Sequence, residues 1–394
     1  MTFRKTLFWL HLSAGVVAGL SIFIMCFTGM VLAFEQQLIA FAESDIRRVE
    51  SAGSPIRLSL AELQERVTTD HPMSRPTGIV VSSDPAAAVV FQLGRIEAFF
   101  ANPYTGEIRI LASTRTHDFM QSMKNWHRWL ALGGDNRPIG KAINGVCNCA
   151  LFLLTVTGLY LWWPRKWRTK GLRRSVWFVL RPADGKARDW NWHNVIGLWS
   201  APILIVLTLT ALPISYRWAS NLVYVVVGEK PPVRNGPPGA TTPAVNFPTP
   251  LAGTRPLGLD AILASAQDES PEWEQITLIL GGNRNSRQTE PEPPQGPRAV
   301  TVTVKTSGSW PRTATTTLQF NPYTAEILQR ESFNDLSPGH RLRTWTRFLH
   351  TGEALGWVGQ LLTGLASLGG CFLGYTGFAL VWRRFCRWRK SPTA

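Results

Sequence analysis

The chain is 394 residues long with a formal net charge of +15, yet 45% of it is hydrophobic, only 17% is charged, and it holds 17 Trp. A soluble nucleic-acid binder of such basicity would spread Lys and Arg over a polar surface, whereas here basic clusters alternate with long apolar runs, as in a polytopic membrane protein. The same apolar and aromatic content excludes disorder, and the five cysteines (Cys26, Cys147, Cys149, Cys371, Cys386) all lie in or beside apolar stretches, so no disulfide framework is implied.

The first span is predicted from Leu7 to Phe34, interrupted only by His11, Ser13, Ser21, Thr28 and small residues. It exceeds the roughly 20 residues that cross a bilayer. It is also too long for a signal-peptide core and no small-x-small site follows it, so it reads as a retained helix. A polar stretch, 35–138, comes next. There Ser59–Val67 reads as an amphipathic helix with Ser59 as N-cap and Glu62 three residues on. Ala88–Leu93 and Glu97–Phe100 read as strands, and Asn102-Pro103-Tyr104-Thr105-Gly106 as a turn before a strand at Glu107–Ile110. The second span runs from about Ile139 to Trp163, the third from His193 to Tyr216, and the fourth from Trp357 to Trp382. In the second polar stretch, 217–356, Gly258–Leu263 reads as a helix and Ala299–Val304 and Thr315–Phe320 as strands. Residues 230–256 and 282–298, rich in Pro, Gly and Asn, read as loops.

Lys and Arg in short flanks stay cytoplasmic. Residues 1–10 carry two, 164–192 carry nine and 383–394 carry five, against the two acids Asp184 and Asp189, so +14 of the +15 lies on one side. Both termini and the middle loop are therefore expected in the cytoplasm. The two polar stretches are expected outside, in the periplasm of a Gram-negative bacterium.

The chain repeats itself. Asn102–Ile108 recurs at Asn321–Ile327, an offset of 219 with Gly106 replaced by Ala325, and Thr157-Gly158-Leu159 recurs at that offset as Thr376-Gly377-Phe378. His11 stands 17 residues before Thr28, as His193 stands 17 before Thr210. A span, an outward α+β domain and a returning span are thus used twice, which predicts a pseudo-two-fold axis along the membrane normal.

Six of the seven histidines obey the repeat. His11 pairs with His193, while His127 with His350 and His117 with His340 are each 223 apart; His71 has no counterpart and reads as a surface residue. Ionisable groups in a membrane bundle are costly and point to function. Two symmetric pairs, one at each membrane face, suit haem, whose iron takes axial imidazoles from opposing helices of a bundle. The chain lacks Cys-x-x-Cys-His, so such a haem is non-covalent and b-type. Zinc would need further ligands converging at each level. Gly15, Gly19, Gly197 and Gly364 are expected to allow the close approach that a flat macrocycle requires. An unbroken helix from His350 to Trp382 would run about 48 Å, beyond the roughly 30 Å of hydrocarbon, which would set the outer pair at or above the outer boundary. His117 and His340, ten residues upstream, rank behind His127 and His350 as ligands, with a supporting or substrate-facing role. Trp126, Trp129 and Trp345 are candidates to line the outer site.

Thr157-Gly158-Leu159-Tyr160-Leu161-Trp162-Trp163-Pro164, Trp126-His127-Arg128-Trp129-Leu130, Leu349-His350 and the two Asn-Pro-Tyr-Thr turns resemble the PepSY-associated transmembrane family, over essentially the whole chain. The second copy departs from the first where Thr351-Gly352-Glu353 replaces Arg128-Trp129-Leu130. The resemblance implies an iron-regulated inner-membrane protein akin to siderophore reductases of the ferrioxamine type, which carry two haems and reduce ferric siderophore in the periplasm.

The fold expected is therefore a membrane α-helical bundle of four long transmembrane helices, internally duplicated, with two small α+β PepSY-like periplasmic domains. Its parts are helix 1 (1–38), domain 1 (39–116), a His segment with helix 2 (117–163), a basic loop (164–192), helix 3 (193–218), domain 2 (219–339), a His segment with helix 4 (340–383) and a basic tail (384–394). The function expected is transfer of electrons from the cytoplasmic side, through two bis-His b-type haems on His11 with His193 and on His127 with His350, to a periplasmic ferric siderophore. No Gly-x-Gly-x-x-Gly occurs and the middle loop is too short to house a flavin or nicotinamide site. The donor must be a separate reductase, reduced flavin or quinol; membrane lipid is a partner and nucleic acid is not. A haem-free scaffold that binds or inhibits a periplasmic partner, and a metal or siderophore permease, are the alternatives. Against the permease, the spans show neither a broken-helix pair nor a mid-bilayer carboxylate.

Overall fold

The structure, a computed structural model, describes residues 2–50, 56–94, 97–111, 113–164, 169–232, 247, 253–280 and 299–390. Its helices are α1 (Phe3–Leu32), α2 (Glu35–Ala42), α3 (Ser44–Arg47), α4 (Leu60–Asp70), α5 (Arg115–Trp129), α6 (Arg137–Trp162), α7 (Thr169–Val176), α8 (Gly185–Ser215), α9 (Arg217–Val226), α10 (Leu259–Glu269), α11 (Pro338–Thr351) and α12 (Gly356–Lys390). Its strands are β1 (Gly78–Ser82), β2 (Val89–Gln92), β3 (Ala98–Ala101), β4 (Ile108–Ile110), β5 (Trp273–Ile279), β6 (Val300–Thr306), β7 (Thr316–Phe320) and β8 (Ile327–Glu331). They form two units: Met1–Glu35, Asp118–Pro231 and Leu342–Ala394 make a helical one, and Gln36–His117 with Pro232–Arg341 a mixed one.

In the helical unit α1, α6, α8 and α12 are long and apolar enough to cross a membrane, as the composition predicted. α1 packs on α6 and α12, and α8 packs on the same two, so α1 and α8 lie on a diagonal of the bundle. The third span starts earlier than expected, at Gly185 rather than His193. Asp184 caps it, its carboxylate accepting from the Ala187 amide at 2.6 Å. The polar turn that follows can enter the bundle because its carboxylate is neutralised: Asp189, fully buried, accepts from Arg188 at 2.8 Å and from Arg383 of α12 at 2.9 Å. Asn191 ties in the preceding loop, donating to the carbonyls of Arg174 and Trp177 and accepting from the Val179 amide.

The second and fourth spans are not extensions of the helices that carry His127 and His350. After α5 the backbone turns through left-handed residues, Leu130 (φ 53°), Ala131 (φ 57°) and Gly134 (φ 54°); after α11 it does so at Gly352 (φ 78°) and Gly356 (φ 65°). A single 3-10 turn, Gly134–Asn136 or Glu353–Leu355, then leads into α6 or α12. Both corners need glycine inside the returning helix. A Cβ on Gly140 would collide with the Trp129 carbonyl, and one on Gly359, 219 residues on, with the Gly352 carbonyl. The 48 Å continuous helix is therefore replaced by a helical hairpin, and the expected position of the outer pair changes with it.

The mixed unit corrects the expectation of two separate small domains. Its strands form one antiparallel sheet in the order β4-β3-β2-β1-β5-β6-β7-β8, in which the two four-stranded halves join through β1 and β5, from Gly78↔Ile279 to Ser82↔Gln275. Neither central strand was assigned from the sequence. β2, β3, β4, β6 and β7 were, to within a few residues; β8 was not. One face of the sheet buries Ile79, Val81, Phe91, Phe99, Ile276, Leu278, Val302, Val304, Leu318 and Phe320, spaced by two along each strand, against Leu63 and Val67 of α4 and Ile262 and Ala266 of α10. The predicted capping box of α4 is present, Ser59 accepting from the Glu62 amide while Glu62 accepts from Ser59. Asp260 of α10 also accepts from the amides of Leu60 and Ala61 at 2.6 and 3.2 Å, so the second half of this unit helps cap a helix of the first. His71, read as a surface residue, is half-buried and stacks on Phe99 with ring centroids 4.3 Å apart. Most of the predicted loops at 230–256 and 282–298 lie outside the described residues.

Candidate functional site

The helical unit brings four histidines together as two facing pairs. His11 of α1 and His193 of α8 meet across the bundle diagonal near the end where α1 begins and α12 ends, with ring centroids 6.5 Å apart. His127 of α5 and His350 of α11 meet near the opposite end at 6.2 Å. These are the pairs predicted from the repeat. Because the hairpins fold back, His127 lies against Met25 and Thr28, inside the length of α1, and His350 against Leu207 and Thr210 of α8. The far pair is thus within the bundle rather than at or above its boundary. From His11 to Thr28 is 17 residues of one helix, about 26 Å of rise, which sets the scale of the separation between levels. Ala18, Ile22, Met25, Cys26, Cys147, Leu151 and Cys371 pack in that interval.

Every one of these rings is held at Nδ1 by a threonine of another helix: His11 by Thr157 (2.9 Å), His193 by Thr376 (2.9 Å), His127 by Thr28 (3.0 Å) and His350 by Thr210 (3.2 Å). The threonine hydroxyls spend their protons on their own helices. Thr157 donates to the Leu153 carbonyl at 2.6 Å, Thr376 to Phe372 at 2.7 Å, Thr28 to Ile24 at 2.7 Å and Thr210 to Val206 at 2.6 Å. Each threonine oxygen is therefore left to accept, and the histidine must donate from Nδ1. At the far pair the assignment is doubly determined, because Nδ1 of His127 also reaches the Met25 carbonyl (3.1 Å) and that of His350 the Leu207 carbonyl (3.0 Å), and carbonyls only accept. With the proton at Nδ1, all four Nε2 atoms carry a free lone pair, the form in which imidazole binds a metal.

The spacing suits a metal between the rings. With metal–imidazole bonds of about 2.0 Å, centroids 6.5 and 6.2 Å apart leave room for a metal that would be held by one ring from each side, His11 with His193 and His127 with His350. Among the described residues no group of three or more His, Cys, Asp and Glu gathers to hold an ion. A metal here would take only two ligands from the protein and the rest from its own complex, which disfavours a zinc site.

The residue after the threonine completes the cradle. A Cβ on Gly158 would lie 3.3 Å from Cε1 of His11, one on Gly377 3.7 Å from that of His193, and one on Gly29 3.2 Å from that of His127. The fourth position is Ala211. The glycines singled out from sequence serve other contacts: Cβ atoms on Gly19 and Gly364 would meet the rings of Phe378 at 2.8 Å and Phe34 at 2.7 Å, while Gly15 and Gly197 face Leu154 and Leu373. The four threonines were visible in the sequence as repeat markers but not as histidine partners. Thr→Val should therefore discriminate between the pairs. Thr157→Val leaves Nδ1 of His11 without its acceptor and is expected to weaken binding of a metal complex there by about 10–100-fold. Thr28→Val should cost less, because the Met25 carbonyl still accepts from His127; titration of haem into each apoprotein reads the difference.

His117 and His340 do not join either pair. His117 binds Glu43, itself 4% exposed, at 2.5 Å, and Glu43 also accepts from Arg47. His340 stands exposed in the first turn of α11. Of the tryptophans proposed for the outer site, Trp129 lies between the guanidinium groups of Arg128 (4.7 Å) and Arg137 (3.9 Å), Trp126 is 41% exposed and Trp345 is half-buried.

No curated protein shows significant similarity to the chain. The family model described as PepSY-associated TM region matches residues 8–384, a stretch that contains both histidine pairs, all four threonines and the whole sheet. The chain belongs to the PepSY-associated TM region family.

Proposed function

We propose that this protein is a di-haem b oxidoreductase of the bacterial inner membrane, which passes electrons from the cytoplasmic side to a ferric siderophore in the periplasm. The observation that carries the reading is the pair of facing imidazoles at each level, 6.5 and 6.2 Å apart, with Nδ1 tied down and Nε2 free. His11 and His193 would hold one non-covalent haem, His127 and His350 the other. Haem bound in this way supplies reversible one-electron exchange. The chain's part is to fix the ring orientation through Thr157, Thr376, Thr28 and Thr210, and to exclude water between the levels with an apolar core. The basic flanks of residues 1–10, 164–192 and 383–394 favour a cytoplasmic position for both termini, which puts the His11–His193 pair on the donor side. The matching halves are read as an internal duplication, and the sheet unit as two fused PepSY-like repeats that present the ferric chelate. Reduction to Fe(II) releases the metal because the lower charge binds hard oxygen donors less strongly.

The test is the visible absorption spectrum of the purified chain, oxidised and after dithionite. A low-spin Soret and α-band, followed by reoxidation on adding a ferric trihydroxamate with Fe(II) appearing on a ferrous chelator, is expected. A folded protein that binds no haem when reconstituted would make it a PepSY scaffold instead. Haem that reduces but is not reoxidised by any ferric chelate would remove the siderophore role and leave the electron-transfer core.

A further inference from the structure

One departure from the correspondence between the two halves of the helical unit removes an ion pair. In the first half Lys124 of α5 and Glu35 at the start of α2 form an ion pair at 2.5 Å. The offsets that relate His127 to His350 and His11 to His193, 223 and 182, carry Lys124 to Arg347 and Glu35 to Arg217. A salt bridge is thereby replaced by two arginines. The geometry supports their juxtaposition. His350, at the end of α11, lies against Leu207 and Thr210 of α8, just before α9 begins. Further along both helices Arg343 donates to Ser220 at 3.0 Å. α9 therefore lies beside α11 at this contact. Arg347 follows Arg343 by one helical turn and Arg217 precedes Ser220 by about one, and the correspondence with the Lys124–Glu35 pair assigns the two arginines to the same place. Both side chains are exposed, and among the described residues neither has an acidic partner. Neither helix contains an Asp or Glu. Of the acids nearest in sequence, Glu229 lies beyond the far end of α9 and Glu353 accepts from Thr351 at 3.0 Å.

The same helix has a second departure from symmetry. Trp218, Leu222, Val225 and Val226 form one stripe of α9, exposed by 61, 51, 56 and 72%. At the same offset the first half has Gln36, Ala40, Glu43 and Ser44. The opposite face, Ala219, Val223 and Tyr224, is buried. α9 follows the membrane-spanning α8 after the single extended residue Tyr216. An apolar stripe ending in Trp, beside a span terminus and flanked by arginines, has the composition of a helix lying in a bilayer interface.

We propose that α9 rests in the bilayer interface and that Arg217 and Arg347 bind the phosphate of an anionic phospholipid whose chains cover the Trp218–Val226 stripe. The site exists only in the second half of the chain, one turn from His350. It does not depend on the haem reading.

Native mass spectrometry of the full chain in detergent, with phosphatidylglycerol, with phosphatidylcholine and with inorganic phosphate, tests this. Phosphatidylglycerol is expected to be retained in clear preference to phosphatidylcholine, and Arg217→Gln and Arg347→Gln are each expected to reduce that preference about fivefold. Arg217→Glu recreates the Glu35–Lys124 arrangement with Arg347, so it should melt no lower than wild type while losing the preference. Variants that keep the wild-type preference would overturn the proposal. So would displacement of the lipid by millimolar inorganic phosphate, which would make the occupant a soluble anion.

Discussion

On the proposed reading the His11→Ala protein is expected to hold about one haem per chain and the wild type two, with His350→Ala matching His11→Ala. Each pair offers two nitrogens and, among the described residues, no cluster of further ligands stands by to replace one that is lost. The rings are also not free to slide, because Thr157 and Thr376, or Thr28 and Thr210 with two backbone carbonyls, set their orientation. The double substitution should leave almost none. His117→Ala and His340→Ala should spare the spectrum, since His117 is engaged by Glu43 and His340 stands exposed at the start of its helix. Two haems retained in both single variants, with the fold intact by circular dichroism, would sink the ligand assignment.

Asp189→Ala is expected to lower the melting temperature of the detergent-solubilised protein by roughly 5–10 °C. Asp189 is fully buried and receives hydrogen bonds from both Arg188 and Arg383, so it joins the start of α8 to the end of α12. Removing one partner of a buried ion pair costs about 3–5 kcal/mol when the other is left unsolvated. Here the arginine side chains are 39 and 42% exposed and can recover water, which reduces the loss to about 2–3 kcal/mol; for some 200 residues in a unit that corresponds to the stated shift. Asp189 is one turn before His193, so the terminal pair should loosen as well, seen as faster haem loss from that level. Melting within 1 °C of wild type would show that the two arginines are indifferent to the carboxylate.

The histidine pairs were legible because a repeat doubles every signal. One histidine near a span end says little, whereas His11 and His193, or His127 and His350, at matching distances from the same threonine marks, stand out as rings in corresponding positions of the two halves. Their partners were not legible as partners. Thr157 and Thr376 stand far along the chain from the rings they hold, and only the ring order of α1, α6, α8 and α12 brings them together. Asp189 reads as a loop acid because Lys186, Arg188, Asp189 and Asn191, within eight residues of an apolar run, look like a flank; its burial depends on Arg383, 194 residues away.

By itself the sequence determined what depends on composition and period: four apolar spans, basic flanks, period-two strands, a capped helix at Ser59, and which histidines are equivalent. The tertiary structure decided what depends on where the chain reverses. Left-handed residues after Trp129 and Thr351 turn long helices into hairpins and carry His127 and His350 inside the bundle. Pairing of β1 with β5, nearly 200 residues apart, merges two expected domains into one sheet. Backbone reversals and long-range pairing leave little trace in local pattern, because a few dihedral angles or edge hydrogen bonds redirect whole elements without changing which residues are apolar.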